Sequence, residues 1–135
     1  MTLRRKSREC ALQMLFQWGM NHQSAGRIES SFWKSARGAD STRRFANQLF
    51  EGAVTQAEAT DSLIEKLSKN WRMKRMPEID CGILRLAIYE LRSGTAPVKV
   101  VINEALELAK KFSTAESAPF LNGILDAAAK SLEKR

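Results

Sequence analysis

Residues 2–20 read TLRRKSRECALQMLFQWGM. Ala11, Met14, Leu15 and Trp18 stand at i, i+3, i+4 and i+7, so the stretch is a helix with one apolar stripe to bury. Arg4, Arg5, Lys6 and Arg8 crowd its first turns, where the helix dipole is already positive and cations lose stability. Nothing inside the stretch offsets them, and a local rule broken without visible compensation points to function. Cations beside the unpaired N–H groups of a helix start attract phosphate. Arg5, Leu12 and Phe16 fall to one side of the stripe, with Glu9 and Gln13 beside them. A cation, an amide and an aromatic ring on one flank suit phosphate contact, base-edge hydrogen bonding and base stacking. The structural alternative has the arginines lying over the core and Phe16 packed under a neighbouring helix.

The remaining segments also read at helical spacing, with no strand-like alternation, so the expected fold class is all-α. A short helix spans 27–36, with Ile28 and Phe32 inward and Trp33 beside them. Asp40 or Ser41 is the expected N-cap of a helix running from Arg43 to Ala57. A stripe at Leu63, Ile64 and Leu67 follows. Thr60, Asp61 and Ser62 offer caps there, and Ser62 with Glu65 has capping-box spacing, although one long helix over both stretches fits as well. Asn70 to Met76 is a basic connector carrying Arg72, Lys74 and Arg75, with Trp71 assigned to the core. Residues 78–92 are apolar around most of the circumference, which marks the central helix. Ser93-Gly94 ends it. Pro97 opens a helix with the stripe Val98, Val101, Ile102, Ala105, Leu108, Ala109 and Phe112, and with Glu107 and Lys111 paired outside. Ser113 and Glu116 read as a capping box for the last helix, whose stripe is Leu121, Ile124, Leu125, Ala128 and Leu132. Phe120 falls about 100° off that stripe, as a lid or a contact. The count is about seven helices in one domain, arranged as two sub-bundles near 1–58 and 59–135.

The chain has 135 residues, enough to bury a core without staples. Twenty-two basic against 15 acidic residues leave a net charge of +7, which favours an anionic partner, most commonly nucleic acid. Cys10 and Cys81 form no CxxC pair and His22 is the single histidine, so no zinc site of the usual spacing is expected. Two reduced thiols suit a cytoplasmic protein. The cationic start lacks an apolar h-region and a small-residue cleavage site, and no run reaches membrane-spanning length. There is no Gly-rich phosphate loop, GxSxG, HExxH or DxDxDG, so neither an enzyme nor a cofactor is expected.

RRKSRECALQMLFQW at 4–18, ILRLAIYEL at 83–91, PVKVVINEALELAKKFS at 97–113 and FLNGILD at 120–126 resemble the transcription antitermination factor NusB family. The resemblance covers nearly the whole chain in order. VINEALELAKKF followed by FLNGILD is its specific part. It implies seven helices in two sub-bundles and binding of the boxA element of nascent ribosomal RNA. The expected partners are single-stranded boxA RNA, the small-subunit ribosomal protein NusE and the RNA polymerase antitermination complex. By resemblance, Arg4, Arg5, Lys6, Arg8, Gln13 and Phe16 match the arginine-rich RNA-binding opening, and Phe120 matches an aromatic near the RNA. Asp80 matches an acidic position facing NusE. FSTAESAPF at 112–120 departs from relatives that carry a glycine and His-Lys there, and Cys81 replaces a residue commonly basic. Relatives occur as monomers and as homodimers, and a homodimer of this chain would hide the RNA face. The alternative reading is a NusB-like module of a ribosomal RNA cytosine methyltransferase.

Overall fold

Each helix starts and stops where backbone chemistry changes. The computed structural model describes residues 2–68 and 73–133; the readings of Trp71 and Arg72 lie outside that range. Helix α1 spans Leu3–Asn21. Thr2 Oγ1 accepts the Arg5 backbone N–H at 3.1 Å and satisfies one of its orphan donors. His22, at φ 55°, ends the helix in the left-handed region. Helices α2 (Ala25–Ser35) and α3 (Asp40–Thr55) follow. Ser24 caps α2, whereas Ala39 precedes α3 without a side-chain bond. Asp40 therefore lies inside the first turn of α3, where its charge favours the dipole, and neither it nor Ser41 is the expected cap.

Helix α4 spans Ala57–Leu67, so the two stretches are separate helices. The break sits at Gln56 (φ −96°, ψ 5°), a few residues before the expected caps. Those capping residues have tertiary tasks. Asp61 accepts two hydrogen bonds from Arg85 at 2.9 Å each, and Thr60 accepts one from Arg92 at 2.6 Å. A 3-10 turn at Met73–Arg75 leads to α5 (Glu78–Ser93), which ends at Gly94 with φ +65°. That left-handed cap costs glycine nothing. Helices α6 (Val98–Phe112) and α7 (Ser117–Glu133) complete the all-α fold.

Helix α5 is buried on nearly every side and packs against α1, α3, α4, α6 and α7. One apolar core runs from Cys10 and Leu15 on α1 through Phe50, Ile83 and Ile88 to Leu125 and Ala128 on α7, continuous across both halves of the chain. Close approaches fix α5 in it. A Cβ on Gly82 would stand 3.0 Å from the Leu12 side chain, and one on Gly52 would overlap the Tyr89 ring. Leu12 is itself fully buried and so leaves the exposed flank on which sequence spacing put it. No helix among the described residues is long and apolar enough to cross a membrane.

Candidate nucleic-acid interface

The four N-terminal cations divide by helical phase. Arg8 lies three residues before Ala11, on the continuation of the apolar stripe, so it turns inward. It is 4% exposed, and its guanidinium forks onto Glu90 of α5 at 2.8 and 2.9 Å, with Glu104 of α6 at 3.7 Å. The Glu90 hydrogen bond raises the Arg8 pKa, against burial. Arg5 is half-exposed and grips Glu104 through two hydrogen bonds of 3.1 and 2.6 Å. The same contact holds the Glu104 carboxyl below its ordinary range. Two of the four cations at the start of α1 are thus compensated by carboxylates from distant helices, which no local reading of residues 2–20 reveals.

Arg4 and Lys6 remain exposed, and neither forms an ion pair among the described residues. The Arg4 guanidinium lies 4.3 Å from the centroid of the Phe45 ring on α3. Stacking of this kind anchors the planar group over the aromatic face. Beside it, Ser7 Oγ donates to the Thr42 carbonyl at 3.0 Å and ties the start of α1 to the start of α3.

Arg5, Glu9, Gln13 and Phe16 occupy one face of α1 at i, i+4, i+8 and i+11. Helix α6 flanks this face: Arg5 meets Glu104, and Glu9 accepts Lys111 Nζ at 2.9 Å on both oxygens. Lys111 is therefore committed to α1, and Glu107 pairs with Lys110 at 3.7 Å, not with Lys111 as spacing suggested. Gln13 is exposed, and Phe16 keeps 39% of its surface in solvent. They continue the face toward the α6–α7 corner, from which the first turn of α7 carries Phe120. Phe120 is half-buried against the core.

Asp80 is not on the surface. It is 2% exposed, and its two oxygens accept from Ser113 Oγ at 2.6 Å and Ser117 Oγ at 2.9 Å. Ser113 consequently closes α6 and holds Asp80 in place of capping α7. In the isolated chain, the residue matched to a NusE-facing position fastens the corner between α6 and α7. Among the described residues no cluster of His, Cys, Asp and Glu is placed to hold a metal. Cys81 lies beneath the α5 start, with Sγ 3.5 Å from the Met73 carbonyl, and burial pushes its thiol up to about 12.

Sequence spacing did not single out Glu90 or Glu104. A signal existed for Glu90: a carboxylate on a helix apolar all round needs a buried cation, and Arg8 falls on a stripe aimed at that helix.

Comparison with known proteins places this arrangement. A model of the NusB family matches residues 5–130. The transcription antitermination protein NusB of Koribacter versatilis (strain Ellin345) is 48% identical over 132 residues, covering 96% of this chain and 90% of the relative. The chain belongs to the NusB family. NusB proteins share its helical frame as well as its sequence. The structure of T. maritima NusB superposes with a TM-score of 0.85 at 31% identity, covering 96% of this chain and 92% of that one. The solution structure of NusB from Aquifex aeolicus gives a TM-score of 0.86 at 26% identity, with coverages of 99% and 92%. A crystal structure of the antitermination factors NusB and NusE in complex with double-stranded RNA gives 0.85 at 26% identity, covering 97% and 98%.

Proposed function

We propose that this chain is a non-catalytic transcription antitermination factor, acting in the cytoplasm. It binds a boxA-type segment of nascent ribosomal RNA together with NusE, within the RNA polymerase antitermination complex. The observation that carries the proposal is the match over nearly the full length to antitermination proteins of the NusB family. The NusB relative in the solved complex holds NusE and double-stranded RNA. The single-stranded reading for this chain rests on its own exposed groups. Arg4, Lys6 and the outer edge of Arg5 supply cations for phosphate, and Gln13 and Phe16 supply an amide and a ring that unpaired bases can use. Phe120 extends the aromatic surface at the α6–α7 corner. Arg8 acts through the frame, by holding α1 on α5, and Asp80 acts on NusE binding through the corner that it fastens.

The test is a titration of a boxA-type RNA and a scrambled RNA of equal length, with and without NusE. Preferential binding of the boxA-type RNA, strengthened by NusE, is expected. Equal affinity for the two RNAs under both conditions overturns the sequence-specific reading.

A further inference from the structure

A second cationic surface lies outside the face just described. Residues 34–44 read KSARGADSTRR and carry Lys34, Arg37, Arg43 and Arg44 against one carboxylate, Asp40. All four cations are exposed, and none forms an ion pair among the described residues. The surface is ordered by an aromatic frame. The Arg43 guanidinium sits 5.3 Å from the Trp33 ring centroid, and the indole N–H donates to Asn47 Oδ1 at 2.8 Å. Gly38 seats the connecting loop against both: a Cβ there would stand 3.4 Å from the Trp33 ring and 3.7 Å from Arg43. An open groove of about 360 Å³ runs between α2 and α3, lined by Trp33, Lys34, Arg43 and Asn47 together with the Glu29 carboxyl.

We infer that this α2–α3 surface is a second single-stranded RNA contact, which takes the nucleotides flanking those held by α1; the inference rests on the proposed RNA-binding function. Continuity supports it. The Arg4–Phe45 stack and the Ser7–Thr42 hydrogen bond join the start of α1 directly to the start of α3, so one strand can pass from Arg4 and Lys6 to Arg43 and Arg44. The chemistry supports RNA over a protein or a membrane. A guanidinium placed over an aromatic ring keeps N–H groups for phosphate, and a groove that sets the Trp33 ring beside Lys34 and Arg43 suits a backbone with stackable bases. Among the described residues the exposed large apolar side chains are Leu3, Phe16, Met20, Val98 and Val100, none of them on α2 or α3, so the surface lacks the apolar anchors that a protein hot spot or an inserting membrane face uses.

The test compares a short boxA-type RNA with the same RNA carrying a uridine tail at either end. The proteins are the full chain and its Lys34→Gln/Arg37→Gln/Arg44→Gln variant, which keeps Arg43 on Trp33. The tail is expected to tighten binding to the parent protein. In the variant that gain disappears while affinity for the short RNA is unchanged, and the slope of log K against log[salt] for the tailed RNA flattens by about 2, or roughly 0.7 for each of three contacts. No gain from the tail in the parent, an equal gain in both proteins, or a parallel loss for short and tailed RNA overturns the inference. So does tighter binding of poly-glutamate than of an oligouridine of matching charge, lost in the variant, which would assign the surface to an acidic polypeptide. A scrambled core bound as tightly as the boxA-type core strikes only the proposed function, because the tail increment is read on the scrambled core as well.

Discussion

At the scale of single residues, burial decides what a charge does. Arg8 and Arg4 are four positions apart in one basic cluster, yet one is locked onto Glu90 in the interior and the other lies exposed over Phe45. Breaking a buried pair leaves an uncompensated charge, so Arg8→Ala is expected to cost about 3–5 kcal/mol in urea unfolding. Arg8→Met combined with Glu90→Leu should recover most of that loss, because apolar groups of similar volume replace a buried pair at little cost. A double variant no more stable than Arg8→Ala would contradict this account. Glu29 offers a second case. Its Oε2 is buried without a hydrogen-bond partner among the described residues, and burial, aided by the Glu51 carboxyl, pushes its pKa from 4.5 up to about 8. The folded chain therefore keeps a proton that the unfolded chain releases, and stability falls as pH rises from 4.5 to about 8. Glu29→Gln removes this dependence. Its melting temperature should exceed the parent's above pH 8 or so, with the difference closing toward pH 4.5; parallel melting curves across that window would exclude the protonated carboxyl.

At the scale of elements, the same logic places Asp80. A carboxylate in the first turn of α5 favours the dipole on any reading, but here it also receives two serine hydroxyls from the α6–α7 corner. Asp80→Asn should cost about 1–3 kcal/mol, seen as a lower unfolding midpoint, since hydrogen bonds to a buried charged acceptor are weakened. Affinity for NusE should change only as far as the corner loosens. An unaltered midpoint with a large loss of NusE affinity would instead make Asp80 a direct partner contact. The break between α3 and α4 teaches a related point. Thr60, Asp61 and Ser62 have cap chemistry, yet the helix breaks at Gln56, and Thr60 and Asp61 are spent on Arg92 and Arg85. Local capping signals lose when a side chain has a stronger distant partner.

At the scale of the whole molecule, binding should report which of the cations at the start of α1 remain available. Neutralising Arg4 and Lys6 as glutamines should flatten the salt dependence of boxA-type RNA binding by about 1.4, at roughly 0.7 per phosphate contact on a single strand. Adding a substitution at Arg8 should not flatten it further, because that cation is buried. A further fall would show that Arg8 reaches phosphate. Glu104 draws Arg5 toward α6, so Glu104→Gln is expected to leave the fold intact and free Arg5 for an anion. On the proposed function, α1 carries both the RNA-contacting groups and part of the frame.

The helical periods of α1, α5, α6 and α7, the Gly94 stop and the all-α class were legible in the sequence, because they follow from local spacing and backbone chemistry. Phase placed Gln13, Phe16 and Leu12 on one flank of α1 but did not settle their exposure: Gln13 and Phe16 reach solvent, whereas Leu12 is buried under α5. The fate of the N-terminal cations was not legible. Arg5 and Arg8 meet Glu104 and Glu90, 99 and 82 positions away, and only packing brings α5 and α6 beside α1. The hydroxyls that hold Asp80 were not legible either, because Ser113 and Ser117 belong to a corner formed more than thirty residues later. Sequence spacing determines which face of a helix is apolar. Which charges are consumed inside is decided by tertiary structure, because the energy of a buried ion depends on the partner that folding delivers to it.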